Sequence, residues 1–194
     1  MNLKPRATLP IYSKALVWEN RENRSVEYFT LHTTVDFFVV HGTVIMPLEQ
    51  KPTKITYRLD CDKQWRTRNV SINQERAGKT SQLSLKVSDK QVWRRSGSKV
   101  SFATGLFDVD LEISPATNTL PIRRIGLNIG ESQEVDAVWV RFPSLKLERL
   151  PQRYTRISDK CYKFETLSTR FTAELEVDAD GLIMHYGNLW NRIN

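Results

Sequence analysis

The sequence predicts an almost all-β protein whose strands build a sandwich, a barrel or one large curved sheet. Three observations predict it. Apolar and polar residues alternate with a period of two in segment after segment. Turn-forming clusters separate these segments at short intervals. No window carries a 3.6-residue apolar stripe bounded by helix caps.

Taken in order, Val35–Met46 (VDFFVVHGTVIM) is apolar on both faces. It reads as a central strand covered on both sides, with Gly42 as a bulge or a point of close approach. Ile55, Tyr57 and Leu59 alternate with Lys54, Thr56, Arg58 and Asp60, and Leu83, Leu85 and Val87 alternate with Gln82, Ser84, Lys86 and Ser88. Such strands place one face on a core and the other in water. Ala137–Phe142 again reads as covered on both faces. Phe171, Ala173, Leu175 and Val177 alternate with polar residues, and Asp178-Ala179-Asp180-Gly181 then turns the chain into Leu182–Tyr186, a hairpin. Asp89-Lys90, Ser96-Gly97-Ser98 and Asn128–Glu131 are the other turn signals. Short helices are expected only at Glu131–Val135 or Gly187–Ile193. A long antiparallel sheet that curls without a helix to fill it leaves a groove lined by alternate side chains, and an apolar groove suits an acyl chain.

The chain has 194 residues with no linker, repeat or low-complexity tract, so residues 1–194 read as one domain. Lys and Arg number 29 against 22 Asp and Glu, a net charge of +7 that favours anionic partners without choosing among them. Cys61 and Cys161 are too few for a disulfide framework or a CxxC metal pair, and read as reduced thiols. No apolar leader opens the sequence and no window reaches a membrane-spanning length. The expectation is a cytoplasmic protein, in which the sequons at Asn23 and Asn69 carry no meaning.

The densest chemistry lies in Phe107–Leu127, FDVDLEISPATNTLPIRRIGL. Asp108 and Asp110 point to one face of a strand, where two carboxylates bind a hard cation, accept sugar hydroxyls or pair with arginine. Asn118 sits in a polar turn, and Arg123 and Arg124 offer forked donors to phosphate or carboxylate. The competing reading is an internal Asp–Arg network, favoured for Asp110 and Arg123 because a buried charge needs a partner. A second constellation places tryptophan beside arginine: Trp65 with Arg68, Trp93 with Arg94 and Arg95, Trp139 with Arg141. It reads as a sugar platform, as a single-stranded nucleic-acid platform, or as core tryptophans with solvated neighbours. His32, His41 and His185 form no HExxH, and there is no P-loop, G-x-S-x-G or dinucleotide turn, so no cofactor or metal is expected.

The run D-V-D-L-x-x-x-P-x-T-N-T-L-P-I-R-R resembles a bacterial family of glycolipid-binding proteins, formerly a domain of unknown function. The resemblance continues through Trp139, Pro143, Gln152-x-Tyr154 and Val177–Tyr186 to Leu189–Ile193, and upstream through Trp18, Glu27, Gly42, Tyr57, Asp60, Trp65, Arg68 and Trp93. It covers nearly the whole chain. It implies a large curved antiparallel sheet forming a half-open or unclosed β-barrel with little helix, similar to lipoprotein carriers. It also implies a glycolipid or other amphiphilic small molecule as ligand. The chain departs from those exported carriers in its lack of an export signal, and from the family pattern in having no glycine beside Trp93. The candidate ligand-binding residues are Asp108, Asp110, Asn118, Arg123, Arg124, Trp65, Arg68, Trp93, Trp139 and Tyr154. Two other readings stay open: an enzyme on a sugar- or lipid-like substrate using Asp108 or Asp110 with Arg124, and a nucleic-acid-associated regulatory protein. The oligomeric state is not legible.

Overall fold

The structure, a computed structural model, describes residues 12–194. The first eleven residues, on which the expectation of no export leader largely falls, lie outside the described residues. The strands are β1 (Tyr12–Asn20), β2 (Ser25–Thr33), β3 (Phe38–Leu48), β4 (Lys51–Cys61), β5 (Thr67–Arg76), β6 (Lys79–Val87), β7 (Trp93–Arg95) and β8 (Ser98–Lys99). After β9 (Asp108–Leu111) come a 3-10 turn (Ala116–Asn118) and the helix α1 (Thr119–Ile125). Then follow β10 (Ser132–Arg141), β11 (Lys146–Arg156), β12 (Cys161–Thr166), β13 (Thr172–Val177), β14 (Ile183–Tyr186) and β15 (Trp190–Arg192). Strand accounts for 59% of residues and helix for 7%, so the all-β reading holds.

All fifteen strands form one curved sheet, in the spatial order β8 to β1 followed by β15 down to β9. Two meanders thus meet where β1 pairs with β15. β8 and β9 are the outer strands, so the sheet is curved but not closed into a barrel. Every pairing is antiparallel except that of β9 with β10.

Register explains the core. Leu16, Phe29, Gly42, Tyr57, Ile72 and Leu83 stand opposite one another across six strands, and all are buried. Alternation puts them on the inner face, where burying a large apolar side chain contributes about 1.5–3 kcal/mol. Gly42 is the close-approach point: a Cβ there would lie 2.2 Å from the Tyr57 ring. The expectation of a strand covered on both faces at Val35–Met46 fails. Thr34–Phe37 is a turn, and in β3 burial alternates so that Ile45 is 62% exposed. The run of β-branched residues hid this one-sidedness. In β10 Val138 and Val140 are buried on one face, whereas on the other Ala137 is buried but Trp139 and Arg141 are only partly covered.

Two helix expectations are also corrected. Glu131–Val135 runs into β10, and β15 occupies most of Gly187–Ile193. The helix is instead α1, within TNTLPIRRIG. Pro121 is tolerated in its first turn, where N–H groups lack helical partners anyway. Gly126 ends it at φ 62°, donating to the Ile122 carbonyl. Seven residues are too few for a periodic stripe to show. Cys61 and Cys161 are both free thiols, as expected.

The hollow of the β1–β8 half is filled. The Pro143 carbonyl accepts from Gln74, the Leu145 carbonyl accepts from Arg95, and Ser114 hydrogen-bonds Glu27 and Tyr57. The β9 strand, the segment after it and the β10–β11 turn therefore occupy the inside of the curve. Leu111 and Ile113 are buried there, whereas Ile122 of α1 lies beside Gly181. On the inner face of the β9–β15 half, α1 covers only one end: Thr119 Oγ1 donates to the Gly181 carbonyl and Asn118 accepts from Tyr154.

Candidate functional site

The opposite end of that inner face is left open as a groove of about 280 Å3. Asp110 and Trp139 are direct partners on β9 and β10, and alternation brings both to the inner face. β12 and β14 add Phe164 and Tyr186, and the chain entering β13 adds Phe171. These three rings pack edge to face, with centroids 6.0–6.3 Å apart. Phe164 is buried beneath, whereas Phe171 is 37% exposed at the rim.

The polar groups are few and held in place. Gln152 Nε2 donates to Asp110 Oδ2 at 2.7 Å. Burial, with the Glu112 carboxylate adding and the Gln152 amide opposing, pushes the Asp110 carboxyl up to about 6. Glu112 accepts from the Phe142 N–H at 2.8 Å and pairs with Arg141 at 3.0 Å. The Arg141 guanidinium lies 3.9 Å from the Trp139 ring centroid and also reaches Glu148 at 3.5 Å. The groove thus offers aromatic faces and carboxylate acceptors, and the Arg141 guanidinium beside it is committed to Glu112 and Trp139. That combination suits an uncharged polyol: sugar C–H faces stack on aromatic rings while hydroxyls donate to carboxylates. Among the described residues no cluster of His, Cys, Asp or Glu could hold a metal ion.

Of the residues singled out from the sequence, Asp110, Trp139 and Arg141 meet here. The others go elsewhere. Asp108 is buried and forked by Arg124, with Nε at 3.1 Å and a terminal nitrogen at 2.5 Å. Burial pushes the Asp108 carboxyl up despite that arginine. The internal Asp–Arg pair therefore exists, but it joins Asp108 to Arg124, not Asp110 to Arg123. Arg123 is exposed, 5.7 Å from the Trp65 ring. Trp65 stacks on Phe38 with centroids 4.1 Å apart. Arg68 grips Asp62 at 3.1 and 2.6 Å and donates to the Ser88 carbonyl. Trp93 is fully buried, donating to the Leu106 carbonyl. Asn118 and Tyr154 are buried and bonded to each other at 2.9 Å.

The sequence reading set Arg141 beside Trp139 but missed Glu112, Gln152, Phe164, Phe171 and Tyr186 as site residues. Their signal was alternation within strands, which assigns a face but not a neighbour. A cleft of about 500 Å3 beside Phe107 is larger, but its arginines are engaged, Arg124 with Asp108 and Arg149 with Asp136. In another of about 420 Å3, Arg156 donates to the Leu127 and Ser158 carbonyls.

Among known proteins, the model of the family described as "Putative glycolipid-binding" matches residues 15–192. The crystal structure of a DUF1089-family protein from Pseudomonas aeruginosa superposes with a TM-score of 0.78 at 27% identity. The match covers 100% of this chain and 98% of that one. No curated protein matches the chain.

Proposed function

This chain belongs to the glycolipid-binding family, and on that premise we propose that it binds the sugar end of an amphiphile in the groove between Trp139, Phe171 and Tyr186. The observation that carries the reading is the coincidence of Asp110, fixed by Gln152, with aromatic rings around one small opening. At about 280 Å3 the groove sits at the lower edge of ligand-pocket sizes, fit for a sugar ring and not for an enclosed acyl chain. The hollow of the β1–β8 half that would house a chain is filled by Leu111 and Ile113. The sugar stacks on Trp139 and Tyr186 and donates hydroxyl protons to Asp110 and Glu112, and the apolar tail leaves over Phe171.

Calorimetry with a glycolipid panel, the matching free oligosaccharides and sugar-free lipids tests this. Free sugars and glycolipids bind alike, while Trp139→Ala and Asp110→Asn each weaken binding by roughly tenfold or more. Equal binding of sugar-free lipids, or indifference to both substitutions, overturns the reading.

A further inference from the structure

The excess positive charge is concentrated. Residues 79–102 hold six Lys or Arg and one Asp, a net +5 of the chain's +7. Within them Lys86 stands directly opposite Arg94, and Arg94 directly opposite Lys99. These are three like charges in one row across β6, β7 and β8, on the outer face of the sheet, and all are exposed. Among the described residues none of the three makes an ion pair, and Arg94 donates to the Gly97 carbonyl. The one acidic side chain within residues 79–102, Asp89, is drawn to Arg68 at 3.4 Å. Lys90 adds to the same edge, while Arg95 turns to the inner face and donates to the Leu145 carbonyl. Cross-strand like charges are unfavourable without a partner. Edge protection against strand pairing needs a charge on β8 alone, of either sign, not a row three strands deep. Three residues past Lys99, the 3-10 turn Ser101–Ala103 buries Ala103 and leaves Phe102 40% exposed.

We propose that the β6–β8 edge, through Lys86, Arg94, Lys99 and Phe102, docks on an anionic lipid surface. Cations draw the edge to acidic headgroups while an exposed aromatic settles at the interface. The preference for lipid over nucleic acid rests on the glycolipid reading, since such a ligand resides in a bilayer. Phe102 adds an exposed apolar ring of the kind that settles at a bilayer interface.

Vesicle co-sedimentation tests this without any glycolipid present, so its outcome is separate from that of the groove. Vesicles of phosphatidylcholine with phosphatidylglycerol pull down the protein at low salt, and phosphatidylcholine alone does not. High salt releases it. The triple reversal K86E/R94E/K99E lowers partition by roughly a hundredfold, and Phe102→Ser lowers it by roughly threefold or more. These exposed changes leave the melting temperature in place, and Trp139→Ala leaves vesicle binding intact. Three results overturn the proposal: protein that stays in the supernatant with anionic vesicles, equal binding to both vesicle types, or charge-dependent retention on a DNA duplex without vesicle binding.

Discussion

At the scale of single residues, half-buried Asp110 and buried Glu27 each add a pH dependence to stability. Asp110 holds its proton up to about pH 6, whereas an ordinary aspartate gives it up near 3.8. Between those values the folded state keeps a proton that the unfolded chain has released, so stability falls as pH rises through this window. Asp110→Asn cannot ionise, yet its amide oxygen still accepts from Gln152. Thermal melts are therefore expected to match wild type below the window and to sit a few degrees above it at neutral pH, even as sugar affinity drops. Glu27 is the second case. It is fully buried, Tyr57 and Ser114 both donate to one oxygen, and its other oxygen has no partner among the described residues. Burial pushes it up to about 8, against those two donors, so it is neutral at pH 7. The sign is the same: stability is lost from about pH 4.5 up to about 8 as the unfolded chain ionises and the folded one does not. Glu27→Gln is expected to melt close to wild type in acid and higher in mild alkali. An unchanged alkaline slope would show that another group carries it.

At the scale of elements, the segment from β9 through α1 explains why the sequence was readable in some places and not in others. Alternation placed Asp108 and Asp110 on one face, and the structure agrees. It could not show that the chain turns back through α1, bringing Arg124 onto Asp108 and sending Arg123 out toward Trp65. That choice depends on a helix only seven residues long with a proline inside. The pair has measurable weight. Arg124→Ala strands a buried carboxylate, and a buried pair broken on one side costs about 3–5 kcal/mol. Chemical denaturation is expected to show a loss of that order, recovered in large part by adding Asp108→Asn, which removes the stranded charge. The groove was less legible still. Its rings come from residues 139, 164, 171 and 186, on separate parts of the sheet. Only the order β9 to β14 makes them neighbours.

At the scale of the molecule, period-two patterning was enough to call a sheet protein with few helices, because alternation is a local signal that survives in every long strand. Curvature was inferred correctly, but what fills the curve was not. A groove along the whole concave face would need that face to be uncovered, and the chain instead lays its own β9 strand and the β10–β11 turn there. The opening that remains is short, polar on one wall and aromatic on the other. The meeting of β1 with β15 has a further consequence. Every other antiparallel contact between neighbouring strands joins segments close in sequence, and the parallel β9–β10 pair closes over a short crossover, whereas Trp18 meets Arg192 only after nearly the whole chain has been laid down. The first and last described strands form a seam down the middle, where most sheets place theirs at a margin. Fraying of either one would open the molecule along its midline instead of shaving an edge.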